Sequence, residues 1–161
     1  MKPEDLTLTL LGDEGDDALR MYAFFQEEWQ KNLGITVKVD QVTFKTRIER
    51  MNKGDFDIVF AGWSPDYNDP KSYLEIVQTG NGNNNGKYSN DEYDALLEQA
   101  DLETDANKRN EILKQAEELF AEECPLGPVF HKSTSYICSD RLTGVQRTAY
   151  KNIDLRFADV K

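Results

Sequence analysis

Apolar and polar residues alternate near the start of the chain in a pattern that predicts two strands with a helix between them. Residues 6–10 and residues 35–39 alternate with a period of two, which is typical of strands with one buried face. Residues 12–16 are expected to form a loop, and residues 16–33 a helix that Gly34 ends. The apolar face of this helix recurs at helical spacing: Tyr22, Phe25, Trp29 and Leu33.

A third strand is predicted at residues 56–61, whose nearly continuous apolar run is typical of a central strand covered on both faces. Before it, Thr43 can cap a short helix that Gly54 ends. The apolar stripe of that helix consists of Phe44, Ile48 and Met51. The order strand, helix, strand, helix, strand predicts an α/β sheet with right-handed crossovers.

The rest of the chain is predicted to be mostly helical. Residues 72–77 form a short helix, and residues 80–86, rich in glycine and asparagine, form a polar surface loop. Ser89 with Glu92 fits a capping box that opens one helix, and Thr104 can cap the next. The apolar faces of these helices are Tyr93, Leu96, Leu97 and Ala100 in the first and Ile112, Leu113, Ala116, Leu119 and Phe120 in the second. Two later segments are expected to be extended: residues 127–138 and 153–157.

Length and charge narrow the classes of function. The 161 residues suffice for one domain with a sizeable core, and no apolar run approaches the ~20 residues of a membrane span. With 19 basic and 30 acidic residues the net charge is −11, which argues against a nucleic acid or an anionic membrane surface as partner. The charge suits a cationic or zwitterionic ligand, or it serves solubility alone. Residues 1–5 lack the apolar segment of a signal peptide, as in a cytoplasmic protein or a processed or shortened chain.

Metal and nucleophile chemistry find little support in the sequence. Cys124, Cys138 and the single histidine, His131, are too few for a zinc site, and the two cysteines permit either a disulfide or two free thiols. The acidic residues among positions 13–17 lack the spacing of a calcium loop and are interpreted as a solvated loop. Residues 133–135 lack a nucleophile elbow. We therefore expect no metal, no cofactor and no catalytic residue.

The most informative stretch follows the third predicted strand. In open α/β sheets, ligands bind beyond the carboxyl ends of the strands. There Gly62 would let a ligand backbone approach, Trp63 would provide an apolar wall, and Asp66 could hold an ammonium group. In the alternative interpretation Trp63 is buried core and Asp66 bonds its own turn, so the exposure of both side chains distinguishes the two. An enzyme would need Asp66 and Asp69 as an acid–base pair, but their closeness in one turn-rich stretch makes placement across a substrate implausible.

The same stretch carries a family resemblance. Residues 55–70, Asp-Phe-Asp-Ile-Val-Phe-Ala-Gly-Trp-Ser-Pro-Asp-Tyr-Asn-Asp-Pro, resemble the D-[FY]-D-I-x-x-x-G-W-x-x-D-Y-x-[DE]-P signature of the oligopeptide/dipeptide-binding proteins, the extracytoplasmic receptors of peptide-type ABC importers. Further segments resemble other elements of that family in the same order, so that the likeness extends over nearly the whole chain: residues 29–35, 84–97 and 109–129.

The resemblance implies a fold and a domain organisation. The fold is α/β: a three-layer lobe of the type II periplasmic-binding-protein fold, with a mixed sheet and flanking helices. Residues 1–161 then form a single domain, part of the C-terminal lobe of a two-lobe protein, without the N-terminal lobe and the export signal. The full-length protein is expected to lie outside the cytoplasm and to carry a lipid anchor.

The resemblance also implies a function and a site. The lobe captures short peptides in extended form and delivers them to a membrane permease, without catalysis; the alternative is a non-peptide solute such as a nickel complex, haem or an oligosaccharide. Asp66 matches the aspartate that binds the peptide's α-ammonium group, and the strand entering the motif pairs with the peptide backbone. The ligand-binding residues implied are Ala61, Gly62, Trp63, Ser64, Asp66 and Tyr67.

Overall fold

The structure of the protein is a computed structural model that describes residues 2–133, 135–148 and 152–161. The chain divides into two compact units. The first comprises Met1–Trp63 and Ile76–Asn90, and the second comprises Ser64–Glu75 and Asp91–Lys161. Each unit is described by itself.

The first unit is built on a parallel three-stranded sheet in the order β2-β1-β3. Its strands and helices alternate along the chain: β1 (Thr7–Asp13), α1 (Asp16–Leu33), β2 (Thr36–Val42), α2 (Phe44–Lys53) and β3 (Ile58–Val59). In the register, Leu8 lies opposite Val37 of β2, and Leu10 lies opposite Ile58 of β3. The predicted order of elements and the predicted bounds of α1 are confirmed.

The core of this unit lies between α1 and one face of the sheet. Leu10, Tyr22 and Val37 are its buried centre, and Phe25 and Trp29 of α1 pack against them with their rings stacked 5.3 Å apart. Leu11, next to Leu10 in β1, is also fully buried. Because neighbouring strand residues point to opposite faces, both faces of β1 are covered.

The central strand is therefore β1, and the expectation that residues 56–61 form it is wrong. Of that segment, Ile58–Val59 forms the strand beside β1, with both residues half-buried, and the Phe60 N–H adds a 2.9 Å hydrogen bond to the Leu11 carbonyl oxygen. One position before β3, the carboxylate of Asp57 accepts a hydrogen bond of 2.8 Å from the Thr9 backbone N–H. A side chain thus satisfies a β1 donor that a longer β3 would have paired.

The end of β1 also differs from expectation. Gly12 and Asp13, predicted as loop, belong to the strand. A Cβ at Gly12 would lie 2.2 Å from the Tyr22 hydroxyl oxygen, so only glycine leaves room for this ring. The Asp13 carboxylate accepts a 2.7 Å hydrogen bond from Nε of Arg47, which is buried in α2. Asp13 is thus part of an ion pair and not of a solvated loop.

The ends of α1 and α2 follow the predicted chemistry. Gly34 and Gly54 adopt left-handed conformations, with φ of 73° and 70°, which glycine reaches without a steric penalty. The Thr43 hydroxyl accepts a 3.3 Å hydrogen bond from the Thr46 N–H, as a cap of α2 does. Two predicted apolar contacts fail, because Leu33 and Phe44 are 55% and 65% exposed.

A buried asparagine organises the loop of the first unit that was predicted only as a polar surface segment. Asn84 is 5% exposed, and its amide donates to the carbonyl oxygens of Val77 (3.0 Å), Gln78 (3.2 Å) and Tyr88 (2.7 Å). Its carbonyl oxygen accepts from the Tyr88 N–H at 3.1 Å. One side chain therefore ties together both ends of the loop.

Helices dominate the second unit: α3 (Lys71–Leu74), α4 (Asp91–Leu102) and α5 (Ala106–Glu123). A 3₁₀ turn at Glu75–Val77 follows α3, in agreement with the short helix predicted at residues 72–77. Ser72 and Leu74 of α3 are buried, and the predicted apolar faces of α4 and α5 supply five more buried residues: Tyr93, Leu97, Ala100, Leu113 and Ala116. The Tyr93 hydroxyl donates to the Leu74 carbonyl oxygen at 2.8 Å and so links α4 to the end of α3.

The beginnings of α4 and α5 lie close to the predicted ones. The helix predicted from Ser89 begins at Asp91. The cap of α5 is Asp105 and not Thr104, since the Asp105 carboxylate accepts from the backbone N–H groups of Asn107 (2.9 Å) and Lys108 (3.0 Å). Two adjacent residues with cap-forming side chains make this position ambiguous in sequence.

The last part of the chain forms two short antiparallel pairs: β4 (Leu142–Thr143) with β7 (Asp159–Val160), and β5 (Gln146–Arg147) with β6 (Ile153–Asp154). Apart from Thr134, which lies outside the described residues, the segment 127–138 is irregular. Cys124 and Cys138 are free thiols, both exposed. In the part of the chain that the structure describes, no helix is long and apolar enough to cross a membrane, and no three potential metal ligands cluster.

Candidate functional site

The predicted binding segment leaves β3 as irregular, exposed backbone. Ala61, Gly62 and Ser64 are exposed, and apart from Gly62 and its two chain neighbours no described residue has an atom within 4 Å of the position that a Cβ at Gly62 would take. Ala61, Gly62 and Trp63 belong to the first unit, while Ser64, Asp66 and Tyr67 belong to the second. Pairing with an extended ligand requires exposed backbone of this kind.

The two side chains that distinguish a ligand site from a structural turn are both accessible. Trp63 is half-buried, and Asp66 is exposed. Among the described residues, the Asp66 carboxylate accepts no hydrogen bond and forms no ion pair. This exposure agrees with the ligand-site interpretation and disagrees with a fully buried Trp63. That Asp66 binds a ligand stays a prediction.

The loop that carries Asp66 is fixed by bonds to its backbone. The Asp66 N–H donates to the hydroxyl of Ser72 at 3.3 Å, and Ser72 is fully buried. The Ser72 N–H in turn donates to the Asp69 carbonyl oxygen at 3.1 Å. The Asp66 backbone is thus attached to the first turn of α3, while its carboxylate stays accessible.

Asp69 anchors this loop to α5 through a bidentate ion pair with Arg109. Nη1 of Arg109 lies 2.7 Å from Oδ2 of Asp69, and Nη2 lies 3.0 Å from Oδ1. Both side chains are 23% exposed. The Arg109 Nε donates to the Ala100 carbonyl oxygen at 3.0 Å, and Oδ1 of Asp69 also accepts from the Lys71 N–H at 2.8 Å. One guanidinium therefore joins the loop, α4 and α5.

These hydrogen bonds set the charge of Asp69. The Arg109 guanidinium lowers the pKa of the Asp69 carboxyl from its usual value, and partial burial opposes this only in part. The carboxylate is therefore firmly ionised at neutral pH. An acid–base role for Asp69 beside Asp66 would need a proton that this pairing disfavours.

Two further contacts surround the loop. Burial and the bond to Glu75 raise the pKa of Tyr67 to about 12, so the phenol stays protonated at neutral pH. Its hydroxyl donates to Oε1 of Glu75 at 2.9 Å, while the residue as a whole remains 43% exposed. Lys71 forms an ion pair with Asp101.

Sequence reasoning missed the pair of Asp69 and Arg109, although one signal for it exists. Arg109 stands four residues before Leu113 and seven before Ala116, on the apolar stripe of α5. A charge on a buried stripe requires a partner. The pattern does not identify that partner, because it lies 40 residues away in the chain.

Two clefts lie away from the predicted site. In the first unit, a cleft of about 360 Å³ has an apolar lining that includes Leu6, Leu33 and Ile35. In the second unit, a cleft of about 260 Å³ at the end of α5 includes Phe120 and Leu126. The predicted site residues line neither cleft.

The sequence of the chain is similar to those of known proteins. Residues 2–85 match the bacterial extracellular solute-binding proteins, family 5 middle. The chain is 36% identical over 146 residues to the oligopeptide-binding protein OppA of Bacillus subtilis (strain 168), covering 89% of this chain and 27% of that protein.

Two solved structures are similar in fold. An oligopeptide ABC transporter substrate-binding domain from Bacillus anthracis str. Ames has a TM-score of 0.85 at 31% identity, covering 96% of this chain and 31% of that one. Listeria monocytogenes OppA bound to peptide has a TM-score of 0.81 at 29% identity, covering 96% and 30%. These likenesses confirm the predicted type II periplasmic-binding-protein fold. The chain spans about a quarter of the length of the curated relatives that it matches.

Proposed function

Because the chain belongs to the bacterial extracellular solute-binding proteins of family 5, we propose that it captures short peptides in extended form for delivery to the membrane permease of an ABC importer. The observation that carries the proposal is the exposed Asp66 carboxylate, which has no partner among the described residues although its backbone is fixed. A fixed, accessible and unpaired anion is suited to a cationic ligand group.

In this proposal the peptide lies along the open segment after β3. The main chain of residues 61–64 pairs with the peptide backbone, which gives affinity without demanding a particular sequence. Asp66 binds the α-ammonium group by a charge-assisted hydrogen bond contributing about 1.5–3 kcal/mol. The half-buried Trp63 and the exposed Tyr67 are the aromatic residues that contact the ligand's apolar groups in this proposal.

The proposal extends to the whole protein. Residues 1–161 form part of the C-terminal lobe, and an N-terminal lobe closes over the peptide by hinge motion. The full-length protein works outside the cytoplasm, held by a lipid anchor, and catalyses no reaction. Binding by this lobe alone is weak, because the contacts of the second lobe and its exclusion of water are missing.

An NMR titration tests the peptide site directly. The ¹⁵N-labelled protein is titrated with tri-alanine that is either free or acetylated at its amino terminus. Free tri-alanine is expected to shift resonances of residues 61–67, and acetylation to weaken binding roughly 10-fold to 100-fold, because it removes the ammonium charge.

Two variants make the test specific. Asp66→Asn should lose the preference for the free peptide, whereas Asp17→Asn, which removes a fully exposed carboxylate of α1, should retain it. Binding that does not depend on acetylation would exclude the role of Asp66 and favour a non-peptide solute. Absence of any shift at millimolar tri-alanine would exclude binding of this peptide by the lobe at millimolar or stronger affinity.

A further inference from the structure

We infer that Asp69 and Arg109 are positioning residues for the ligand's amino terminus: their ion pair holds the Asp66 loop so that its carboxylate meets the ammonium group. The inference rests on the proposed peptide function and deepens it. It concerns only contacts within the second unit, where all of these residues lie.

A continuous path of short contacts connects the ion pair to Asp66. The Asp69 carboxylate is bound to Arg109, and the Asp69 carbonyl oxygen accepts from the Ser72 N–H at 3.1 Å. The Ser72 hydroxyl accepts from the Asp66 N–H at 3.3 Å. A shift of Asp69 away from α5 therefore displaces Ser72 and, with it, the backbone of Asp66.

The geometry of the anchor requires arginine. Arg109 uses both terminal nitrogens on one carboxylate and its Nε on the Ala100 carbonyl oxygen, so three N–H groups of one planar group act at once. A lysine has a single ammonium on a flexible stem and cannot reproduce this fork. The conservative substitution Arg109→Lys should therefore loosen the loop while keeping the charge.

Asp66 depends on this anchor because its side chain has no support of its own. Its carboxylate is exposed and, among the described residues, makes no contact that would fix its direction. Hydrogen bonds weaken steeply with distance and misalignment. The position of the backbone beneath it therefore decides how strongly it binds an ammonium group.

The test compares affinities for free and N-acetylated tri-alanine by NMR titration. The ratio of the two dissociation constants reports the Asp66 contact, because the rest of the peptide is common to both. A merely structural role of the ion pair would lower stability and leave this ratio unchanged. We expect the ratio to fall at least about threefold in Arg109→Lys and in Asp69→Asn, toward one.

The chain offers a matched control in a second pair, Arg156 and Asp154, whose Nη2 and Oδ2 atoms lie 2.6 Å apart in the same unit. Among the described residues, no hydrogen bond or ion pair links Arg156 or Asp154 to the Asp66 loop, so Arg156→Lys should leave the ratio at its wild-type value. Ser72→Ala keeps the ion pair and removes the hydroxyl that accepts from the Asp66 N–H. It should lower the ratio as well, which tests the path if a charge variant does not fold.

The outcomes separate the positioning role from the function itself. A wild-type ratio near one, or no binding at all, would overturn both the role of Asp66 and this inference. A large wild-type ratio that Arg109→Lys and Ser72→Ala both preserve would overturn the positioning role alone. A ratio that falls equally in Arg156→Lys would also contradict it, since the effect would then not be specific to the Asp69 anchor.

Discussion

The hydrogen bonds of one polar side chain, Asn84, hold together a loop that has almost no apolar core. The neighbours of Asn84 in the sequence are glycines and asparagines, which supply little apolar surface for a loop to bury. The Asn84 side chain instead bonds three carbonyl oxygens and one N–H while it is almost completely buried. A buried amide that is fully satisfied specifies one conformation, because every other placement leaves polar groups unpaired.

Replacing this side chain should therefore loosen the loop and destabilise the protein. Asn84→Ala is expected to lower the free energy of unfolding by about 1–3 kcal/mol, because it leaves buried carbonyl oxygens without their donor. Urea unfolding followed by circular dichroism measures the change. Asn83→Ala is the control: this neighbour is exposed, so its substitution should cost less than about 0.5 kcal/mol. Equal costs would contradict the role given to Asn84.

The sequence predicts the role of a single residue well when that role depends on the residue itself or on its neighbours in the chain. Gly34 and Gly54 were identified as helix ends because the left-handed conformation is a property of the residue itself. The burial of Asn84 was missed, since a row of asparagines gives no sign of which one turns inward. The partnership of Asp69 and Arg109 was missed because it joins residues 40 positions apart.

At the scale of elements, helices were easier to predict than strands. The bounds of α1 follow from apolar residues at helical spacing and a glycine stop, both local signals. The strand at residues 56–61 was predicted from its apolar run, but such a run does not say which strand occupies the centre. That place belongs to β1, whose alternating start indicated one buried face although Leu10 and Leu11 bury both.

The cap of α5 is an element boundary that mutation can locate. Asp105→Ala is expected to destabilise the protein by about 1 kcal/mol, since it removes the acceptor of the Asn107 and Lys108 N–H groups. Thr104→Ala, at the adjacent residue that the sequence predicts as the cap, should cost less than about 0.5 kcal/mol. Thermal unfolding of both variants decides between them. A larger loss in Thr104→Ala would place the start of α5 one residue earlier.

At the scale of the molecule, the sequence predicted the family and the fold more readily than the details of the site. A signature over residues 55–70 is recognisable without knowing any contact, and the comparisons confirm what it implied about the fold. The exposure of Asp66 and its anchoring through the Asp69–Arg109 ion pair depend on contacts between residues far apart in the sequence, which a local pattern does not show. Peptide length and side-chain preference depend, in the proposed function, on a second lobe, because this chain spans about a quarter of its relatives.

The contribution of the Asp69–Arg109 ion pair to the free energy of unfolding should depend on pH, and it can be separated from the effect of the net charge. The folded pKa of Asp69 lies below its unfolded value, so its contribution to stability is complete above about pH 5 and is lost as the pH falls through the unfolded and then the folded pKa. The net charge of −11 also changes with pH, but almost equally in wild type and Asp69→Asn. The difference in their free energies of unfolding, measured with urea from pH 7 to pH 2, should stay constant down to about pH 5 and then shrink. A difference that persists unchanged to pH 2 would mean that the carboxylate is not preferentially stabilised in the folded state.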